Sequence, residues 1–396
     1  MKKYAGFAVL TLFFVLLVIS SPDNSFSPLN PSGINNLPGR RKAQALWGKL
    51  VPDIPNNIGN SFTSDPKTTR TISWQSTLNE GEVIIGGRHY ASKTASGGAY
   101  YFHRVDISGL TPGESYSYIA GYGSHYSPVY SFKTESSSGE FTILHITDPQ
   151  LGEVNVTNEA EVWMRVIESA RRECPEAAFA VNTGDIVSNA KEAYIPYYFD
   201  YAQNVIAETA FIYSLGNNDS PAWYSKYFYT PDNGGGLFYS FDYGNAHFIS
   251  VDSNVKISSS HLNWLENDLK KCTRKWKVVM THQGDYGRSG KNTALARLFD
   301  LYNVDLVLMG HNHFYARSKP IDSAGKEKNN GTVWTLPNTA GVKFNSRANQ
   351  GYLAVSDQPD MQMFSKLRFT DSNIYLSSYT VDRNGNAKLH DSYSFR

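Results

Sequence analysis

The chain has 396 residues, of which 41% are hydrophobic and 18% are charged, so it can bury a large core and is too long for one typical domain. Its formal net charge of +1 argues against a surface that binds nucleic acid or an anionic membrane through charge. Two cysteines, Cys174 and Cys272, are too few for a disulfide-dependent fold; we expect both thiols to be unpaired, although an exported protein could join them.

The N-terminal residues have the pattern of a secretory signal peptide. Lys2 and Lys3 precede an apolar run that ends at Ile19, and polar, proline-containing sequence follows it. The run has about fifteen residues, which is short for a membrane span. We therefore predict a signal peptide over residues 1–21 and a secreted or extracytoplasmic protein, with an uncleaved N-terminal anchor as the alternative. Residues 22–60, rich in Pro, Asn, Ser and Gly, are predicted to form a linker.

Short strands at regular spacing predict an all-β domain over residues 61–135. The candidate strands are TRTISWQ, GEVIIGG, AYYFHRVDIS, ESYSYIAGY and SPVYSFKT. Tyr116 follows a Pro-Gly turn and occupies the position of a tyrosine corner, whose hydroxyl bonds to upstream backbone. Tyr118 is expected to point into the sandwich. Because no cysteine pair spans the sheets, the domain resembles a fibronectin type III domain more than an immunoglobulin domain.

Strands alternate with helices over residues 140–396, which predicts α/β layers. Three stretches carry apolar residues at helical spacing and are predicted helices: 159–173, 261–272 and 292–302. Ser260 is the expected N-cap of the second helix. The chain is predicted to end in a hairpin that turns at Asn384-Gly385.

Polar side chains follow five apolar runs of this second region. The runs and their flanking residues read FTILHITDPQ, AFAVNTGD, AFIYSLGNND, KVVMTHQ and DLVLMGHNH. The residues with metal-binding oxygen or nitrogen atoms are Asp148, Gln150, Asp185, Asn217, His282, His311 and His313. Each run has the length and composition of a buried strand, and open α/β sheets bind ligands outside the carboxyl ends of their strands. We therefore predict that these seven residues lie together and hold metal.

The seven residues are predicted to hold two divalent ions. Hydrolysis of a phosphate ester at neutral pH needs a strong nucleophile and neutralised oxygens, and two ions about 3.5 Å apart supply both. Asp185, which follows a strand within TGD, is predicted to bridge the ions. Asp148 and Gln150 are predicted to bind the first ion, and Asn217 and His282 the second. His311 and His313 are each predicted to bind a different ion.

These motifs resemble those of the metallophosphoesterase superfamily, and closely those of its purple acid phosphatase-like branch. The family order is Asp-x-Gly or Asp-x-His, Gly-Asp, Gly-Asn-His-Asp/Glu, a strand-end His and Gly-His-x-His. The matching segments are DPQ at 148–150, GD at 184–185, GNND at 216–219, TH at 281–282 and GHNH at 310–313. The resemblance covers nearly everything after the linker. It implies an α/β fold, an αββα metallophosphoesterase sandwich, preceded by an all-β fibronectin type III-like sandwich.

Three positions depart from the family pattern. Ser188 stands where the purple enzymes carry the tyrosine that colours iron(III), and Gln150 stands where many relatives carry a histidine ligand. Asn218 replaces the family histidine that holds the phosphate or protonates the leaving group. An amide cannot supply a proton, so Asp219, another histidine or water must do so. We predict Asn218 and Asp219 as catalytic residues and Mn²⁺, Zn²⁺ or Fe²⁺ as the metals.

Four residues near the motifs are assigned with less support from the pattern. Tyr286 and Arg288, in a glycine-rich loop, are predicted substrate contacts because arginine suits phosphate oxygens, with a solvated loop as the alternative. His145 and His247, which lie within apolar strands, are expected to be buried structural histidines.

The combined pattern predicts an exported phosphoesterase that hydrolyses small phosphorylated substrates with a metal-bound hydroxide, foremost a phosphomonoesterase. One alternative is a phosphodiesterase acting on nucleotides or lipids. The other is a non-catalytic surface-binding protein, against which the complete set of seven ligands argues. No nucleic-acid-binding surface is predicted, and no membrane span beyond the signal peptide or anchor.

Overall fold

The computed structural model describes residues 53–136, 139–235, 237–284 and 293–396. The predicted signal peptide, most of the predicted linker, and the predicted substrate contacts Tyr286 and Arg288 lie outside the described residues. Within the described part of the chain, no helix is both long and apolar enough to cross a membrane.

The N-terminal region is all-β, as predicted, and consists of two sheets. One sheet has the order β1 (Asn56–Ser61), β2 (Thr69–Ser76), β6 (Tyr101–Ser108) and β5 (Lys93–Ser96). The other has the order β4 (Arg88–Ala91), β3 (Glu82–Ile85), β7 (Ser115–Tyr122) and β8 (His125–Tyr126), with β9 (Tyr130–Lys133) also paired to β7. Apolar residues of both sheets pack into one core between them.

The tyrosine corner is confirmed. The backbone N–H of Thr111 donates to the Tyr116 hydroxyl at 2.7 Å. Tyr118 is 1% exposed within the sandwich core, and its hydroxyl donates to the carbonyl of Ala207 at 2.8 Å. Tyr118 therefore also ties the sandwich to the region that follows.

The predicted boundary of the linker at residue 60 is wrong, because β1 begins at Asn56. The segment NNIGNS has the composition of a loop, and long-range contacts make it a strand. It pairs with β2, and the backbone N–H and carbonyl of Ile58 bond to the side chain of Gln203 at 2.9 and 2.8 Å. Asn60 donates to the carbonyl of Ala207 at 3.0 Å. Tertiary contacts have overridden a weak local preference.

The second region has two facing sheets with helices outside, which confirms the predicted α/β fold class. The first sheet has the order β12 (Ala210–Tyr213), β11 (Phe179–Asn182), β10 (Phe141–Ile146), β20 (Gln362–Phe369), β21 (Ile374–Val381) and β22 (Ala387–Phe395). The second has the order β13 (Tyr239–Tyr243), β14 (Ala246–Val251), β15 (Trp276–Thr281), β16 (Leu306–Leu308), β18 (Val333–Pro337), β17 (Tyr315–Ser318) and β19 (Leu353–Asp357). Strands β10, β11 and β12 are parallel, as are β14, β15, β16 and β18.

The core follows the two-residue alternation of the strands. Ile143 of β10 points into the layer between the sheets, whereas its neighbour Leu144 packs under the helices of the first sheet. Those helices are α1 (Val156–Glu173) and α2 (Ile195–Glu208). Helices α4 (Ser259–Lys271) and α5 (Thr293–Leu301) belong to the second sheet, and the shorter α3 (Pro221–Tyr227) precedes β13.

The helix predictions hold to within three residues at each end. The N-cap prediction is wrong: Ser258, and not Ser260, caps α4, and its hydroxyl accepts from the backbone N–H of His261 at 3.2 Å. The C-terminal hairpin is confirmed, with Gly385 at φ +81° in the turn between β21 and β22. Both cysteines are free thiols at helix ends, as expected.

Candidate metal centre

The carboxyl ends of β10, β11 and β12 meet those of β15 and β16 at one edge of the two sheets, and the predicted ligands follow these ends. Two overlapping groups form there. In each, one ligand atom per residue lies within 4.8 Å of the others. We call Asp148, Asp185 and His313 the first site, and Asp185, His282 and His311 the second site. Asp185 belongs to both, as the bridging role requires.

Most of the predicted ligands have left-handed backbone conformations. Their φ values are 53° at Asp148, 42° at Gln150, 52° at Asp185, 75° at His311 and 47° at His313. Such a conformation costs a non-glycine residue about 1–3 kcal/mol and persists only where the surroundings enforce it. The strain is concentrated where the side chains converge, which is typical of a functional site.

Glycines allow the loops to approach each other. A Cβ on Gly184, at φ +104°, would lie 2.5 Å from the backbone nitrogen of Gly216. A Cβ on Gly216 would lie 1.9 Å from the nitrogen of Asp185, and one on Gly310 would lie 2.2 Å from Thr147 Oγ1. The glycines in the TGD, GNND and GHNH segments are therefore required by close packing around the ligands.

Two histidines are oriented by backbone carbonyls. His282 Nδ1 donates to the carbonyl of Thr183 at 2.8 Å, and its Nε2 lies 3.3 Å from Asp185 Oδ1. His313 Nδ1 donates to the carbonyl of Lys343 at 2.9 Å, and its Nε2 lies 3.1 Å from Asp148 Oδ1. An Nδ1 hydrogen bond that directs Nε2 toward carboxylates is the usual arrangement of metal-binding histidine.

The charges of the site favour a cation. Burial opposes ionisation of both Asp185 and His282, but each stabilises the charged form of the other. The pKa of Asp185 is held well below its ordinary value by His282 and by the amides of Asn218. The pKa of His282 is raised by Asp185. Since a metal ion replaces the proton on such a histidine, this anionic pocket suits metal binding.

Gln150 and Asn217 are the two predicted ligands with amide oxygens. Gln150 is 3% exposed, and its Oε1 has no hydrogen-bond partner within the described residues. A buried amide oxygen without a donor is rare, and a metal ion at the first site would satisfy it. Asn217 Oδ1 lies 3.1 Å from His282 Nε2 in the second site. The donor set of carboxylate, imidazole and amide oxygen fits two divalent ions.

Asn218 contacts the shared carboxylate directly. Its backbone N–H donates to Asp185 Oδ1 and its side-chain amide donates to Asp185 Oδ2, both at 2.7 Å. Its side chain is partly exposed, so it lies between the shared ligand and solvent.

Asp219 is bonded to the backbone of the two loops, and its catalytic role stays a prediction. Its carboxylate accepts from the backbone N–H groups of Gly216 and Ile186, each at 2.9 Å. It is 7% exposed, and burial together with the charge of Asp185 raises its pKa to about 7. Asp219 therefore holds the GNND loop against the TGD loop, and its oxygens are already bonded within the protein.

A segment after β18 also shapes the site and was missed from the sequence. Thr339 Oγ1 donates to the carbonyl of Asp148 at 2.7 Å, Lys343 orients His313, and the backbone N–H of Asn345 donates to the carbonyl of His313 at 3.0 Å. The available signal was an apolar strand, VWTLP, followed by polar NTAG, the same pattern that marked the ligands.

The two excluded histidines are structural, as expected. His145 is fully buried, its Nε2 lies 3.0 Å from Thr183 Oγ1, and burial lowers its pKa to about 3. His247 lies between Asp242 and Asp268, at 2.7 and 2.8 Å. Neither belongs to the two sites.

Comparisons with known proteins agree with this geometry. The family model "Calcineurin-like phosphoesterase" matches residues 141–315, and "Purple acid Phosphatase, N-terminal domain" matches residues 55–134. The chain is 25% identical to "Acid phosphatase type 7" of Mus musculus over 67% of this chain and 71% of that protein. It is 26% identical to "Purple acid phosphatase 21" of Arabidopsis thaliana over 62% of each chain.

Solved structures share the fold. The purple acid phosphatase PPD1 from yellow lupin superimposes with a TM-score of 0.74, at 17% identity, covering 87% of this chain and 75% of that chain. The structure of PhoD has a TM-score of 0.63 at 13% identity, covering 87% of this chain and 91% of that chain.

Proposed function

We propose that the chain is an exported phosphomonoesterase that uses two divalent ions, because it matches the calcineurin-like phosphoesterase model and the purple acid phosphatase N-terminal domain model and is similar to acid phosphatases. The observation that carries the proposal is the pair of ligand groups sharing Asp185. In this proposal Gln150 adds its amide oxygen to the first site and Asn217 adds its own to the second.

Two bound ions supply an acidified water and neutralise the charge on the phosphoryl oxygens. The protein's own groups hold the ions and the substrate in place. Asp185 lies between the two sites, and its carboxylate is fixed by two N–H donors from Asn218. The amide of Asn218 is suited to donate a hydrogen bond to a phosphoryl oxygen, and it has no proton to release to the leaving group.

The test of this proposal is metal analysis combined with turnover of mono- and diesters. We expect the purified chain to bind two divalent ions and to hydrolyse p-nitrophenyl phosphate faster than bis-p-nitrophenyl phosphate, and a chelator should abolish both activities. A preference for the diester would favour the phosphodiesterase alternative. Two bound ions without turnover of either substrate would favour a binding protein.

We expect that the protein is not purple and that it works with divalent ions. Ser188 replaces the tyrosinate that colours iron(III), and neutral Gln150 adds no charge to the first site, whereas iron(III) prefers anionic oxygen ligands. The measurement is the visible spectrum after reconstitution with iron under air, with the zinc-loaded protein as control. A strong band in the green that disappears when iron is removed would contradict the expectation, because it would require a different tyrosinate ligand.

A further inference from the structure

A charge network lies at the position of the missing tyrosine. Ser188 is 1% exposed, and its hydroxyl donates to Glu153 Oε2 at 2.5 Å. The other oxygen of Glu153 lies 3.1 Å from the ammonium nitrogen of Lys343. The side chains of Glu153 and Lys343 are 28% and 41% exposed, so the network lies at the protein surface.

The network connects the segment that follows Asp185 with the segment that orients His313. Ser188 follows the shared ligand Asp185 by three residues. Lys343 provides the backbone carbonyl that orients His313, independently of its side chain. Glu153 therefore lies between a segment that carries a ligand and a segment that positions one.

The backbone that presents Glu153 is firmly held. The carboxylate of Glu159, which is 1% exposed, accepts from the backbone N–H groups of Gly152 at 2.5 Å, Val154 at 2.6 Å and Asn155 at 3.0 Å. Glu153 lies within this clamped loop, so its position does not depend on its own ion pair.

Glu153 is also electrostatically coupled to the first site. The Ser188 hydroxyl is the main cause that lowers the pKa of Glu153; burial opposes it, and Lys343 and the imidazole of His313 add to the lowering. The carboxylate is therefore anionic at neutral pH, and its contacts with Ser188 and Lys343 place it between the segment of Asp185 and the segment that orients His313.

We propose that Glu153 supports the first site electrostatically: its fixed carboxylate raises the affinity of that site for a divalent cation, and the side chain of Lys343 limits this gain. The inference rests on the proposed function, because it requires that the first site binds metal. Glu153 acts through its electric field, from outside the ligand set, and accepts a hydrogen bond from Ser188, the residue at the sequence position of the family tyrosine.

Glu153 and Lys343 carry opposite charges, so removing one charge or the other should change the affinity for a cation in opposite directions. Glu153→Gln removes a negative charge beside the site, and we expect the dissociation constant of one Mn²⁺ to rise about tenfold. Lys343→Met removes the positive charge and leaves the negative charge of Glu153 without a partner. The dissociation constant of the same Mn²⁺ should therefore fall a few-fold. If the ion pair acted only as a cross-link between segments, both substitutions would weaken binding.

The experiment is calorimetric titration of the metal-free full chain with Mn²⁺, at low and high salt, for the parent and both variants. Matched controls are Glu140→Gln and Arg368→Met, which break an ion pair of 3.1 Å at the opposite end of β10. Both pairs are partly exposed, and thermal unfolding establishes that each variant is folded. We expect the dissociation constant of Mn²⁺ to rise in Glu153→Gln and to fall in Lys343→Met, with smaller changes at high salt. The dissociation constants of the two control variants should equal that of the parent.

Shifts of the same sign, or no shift, in Glu153→Gln and Lys343→Met would overturn the inference. Failure of the proposed function is a separate outcome, because it would appear as a parent chain that binds no metal, or as one that binds two ions and hydrolyses no phosphate ester.

Discussion

Asp185→Asn should lower phosphatase turnover by at least about a thousandfold, the largest effect expected of any single substitution in this chain. Asp185 is the one residue common to both sites, so its charged carboxylate would be shared by the two divalent ions. Loss of about 4 kcal/mol of transition-state stabilisation corresponds to this factor.

The substitution should leave the fold intact, because asparagine has the same shape and can still accept one of the two hydrogen bonds from Asn218. The measurements are kcat with p-nitrophenyl phosphate, bound metal per chain, and the thermal unfolding midpoint. Asp232→Asn, which changes an exposed carboxylate in the same way, is the matched control and should behave as the parent. Near-normal turnover with two ions bound would refute the bridging assignment.

Gly216→Ala should lower turnover by about a hundredfold, because the added methyl group displaces the shared ligand. The new Cβ would lie 1.9 Å from the nitrogen of Asp185 and 2.2 Å from its Oδ1, so one of the two loops must move by about 1 Å or more. The same clash is expected to cost about 1–3 kcal/mol of stability.

Gly351→Ala is the matched control, because a Cβ there meets no atom within 4 Å and the residue lacks a left-handed conformation. Turnover and thermal unfolding of both variants should be measured at saturating metal. Turnover of Gly216→Ala within threefold of the parent would show that the loops around Asp185 adapt without cost to the site.

Both predictions follow from a centre whose shape is set by the fold. Backbone hydrogen bonds link the loops: Asp148 N to Gly184 O at 3.0 Å, Gln150 N to Asp185 O at 2.8 Å, and Gly310 N to His282 O at 2.9 Å. These bonds hold the left-handed ligand residues in place. The ligands are therefore arranged by the backbone, which is how a rigid scaffold preorganises a metal site.

The predicted ligand set could be proposed from the sequence because it follows a local rule. A buried parallel strand appears as an apolar run, and ligands of such sheets lie at the carboxyl end. Asp148, Asp185 and His282 each follow such a run, and the structure brings them together. The likeness to purple acid phosphatases, inferred from the same motifs, is confirmed by the family models and the shared fold. The fibronectin type III character of the first domain and the exported location stay predictions.

Other features depended on partners that are distant in the chain. The strand at Asn56 forms because β2 and Gln203 pair with it, although its composition resembles that of a loop. The carboxylate of Asp219 joins two loops that are distant in the chain, because it accepts from the backbone N–H groups of Gly216 and Ile186. Neither contact can be predicted from the local pattern of the sequence.

The sequence by itself determined the fold class and predicted the metal ligands, because hydrophobic periodicity and strand-end chemistry are properties of short segments. Only the tertiary structure decided which residues support those ligands. Glu153, Ser188 and Lys343 are polar residues of ordinary appearance, separated by up to 190 positions, and they meet only because the sheet edges bring their loops together. Contacts at such separation depend on the packing of the whole domain, and no local pattern encodes them.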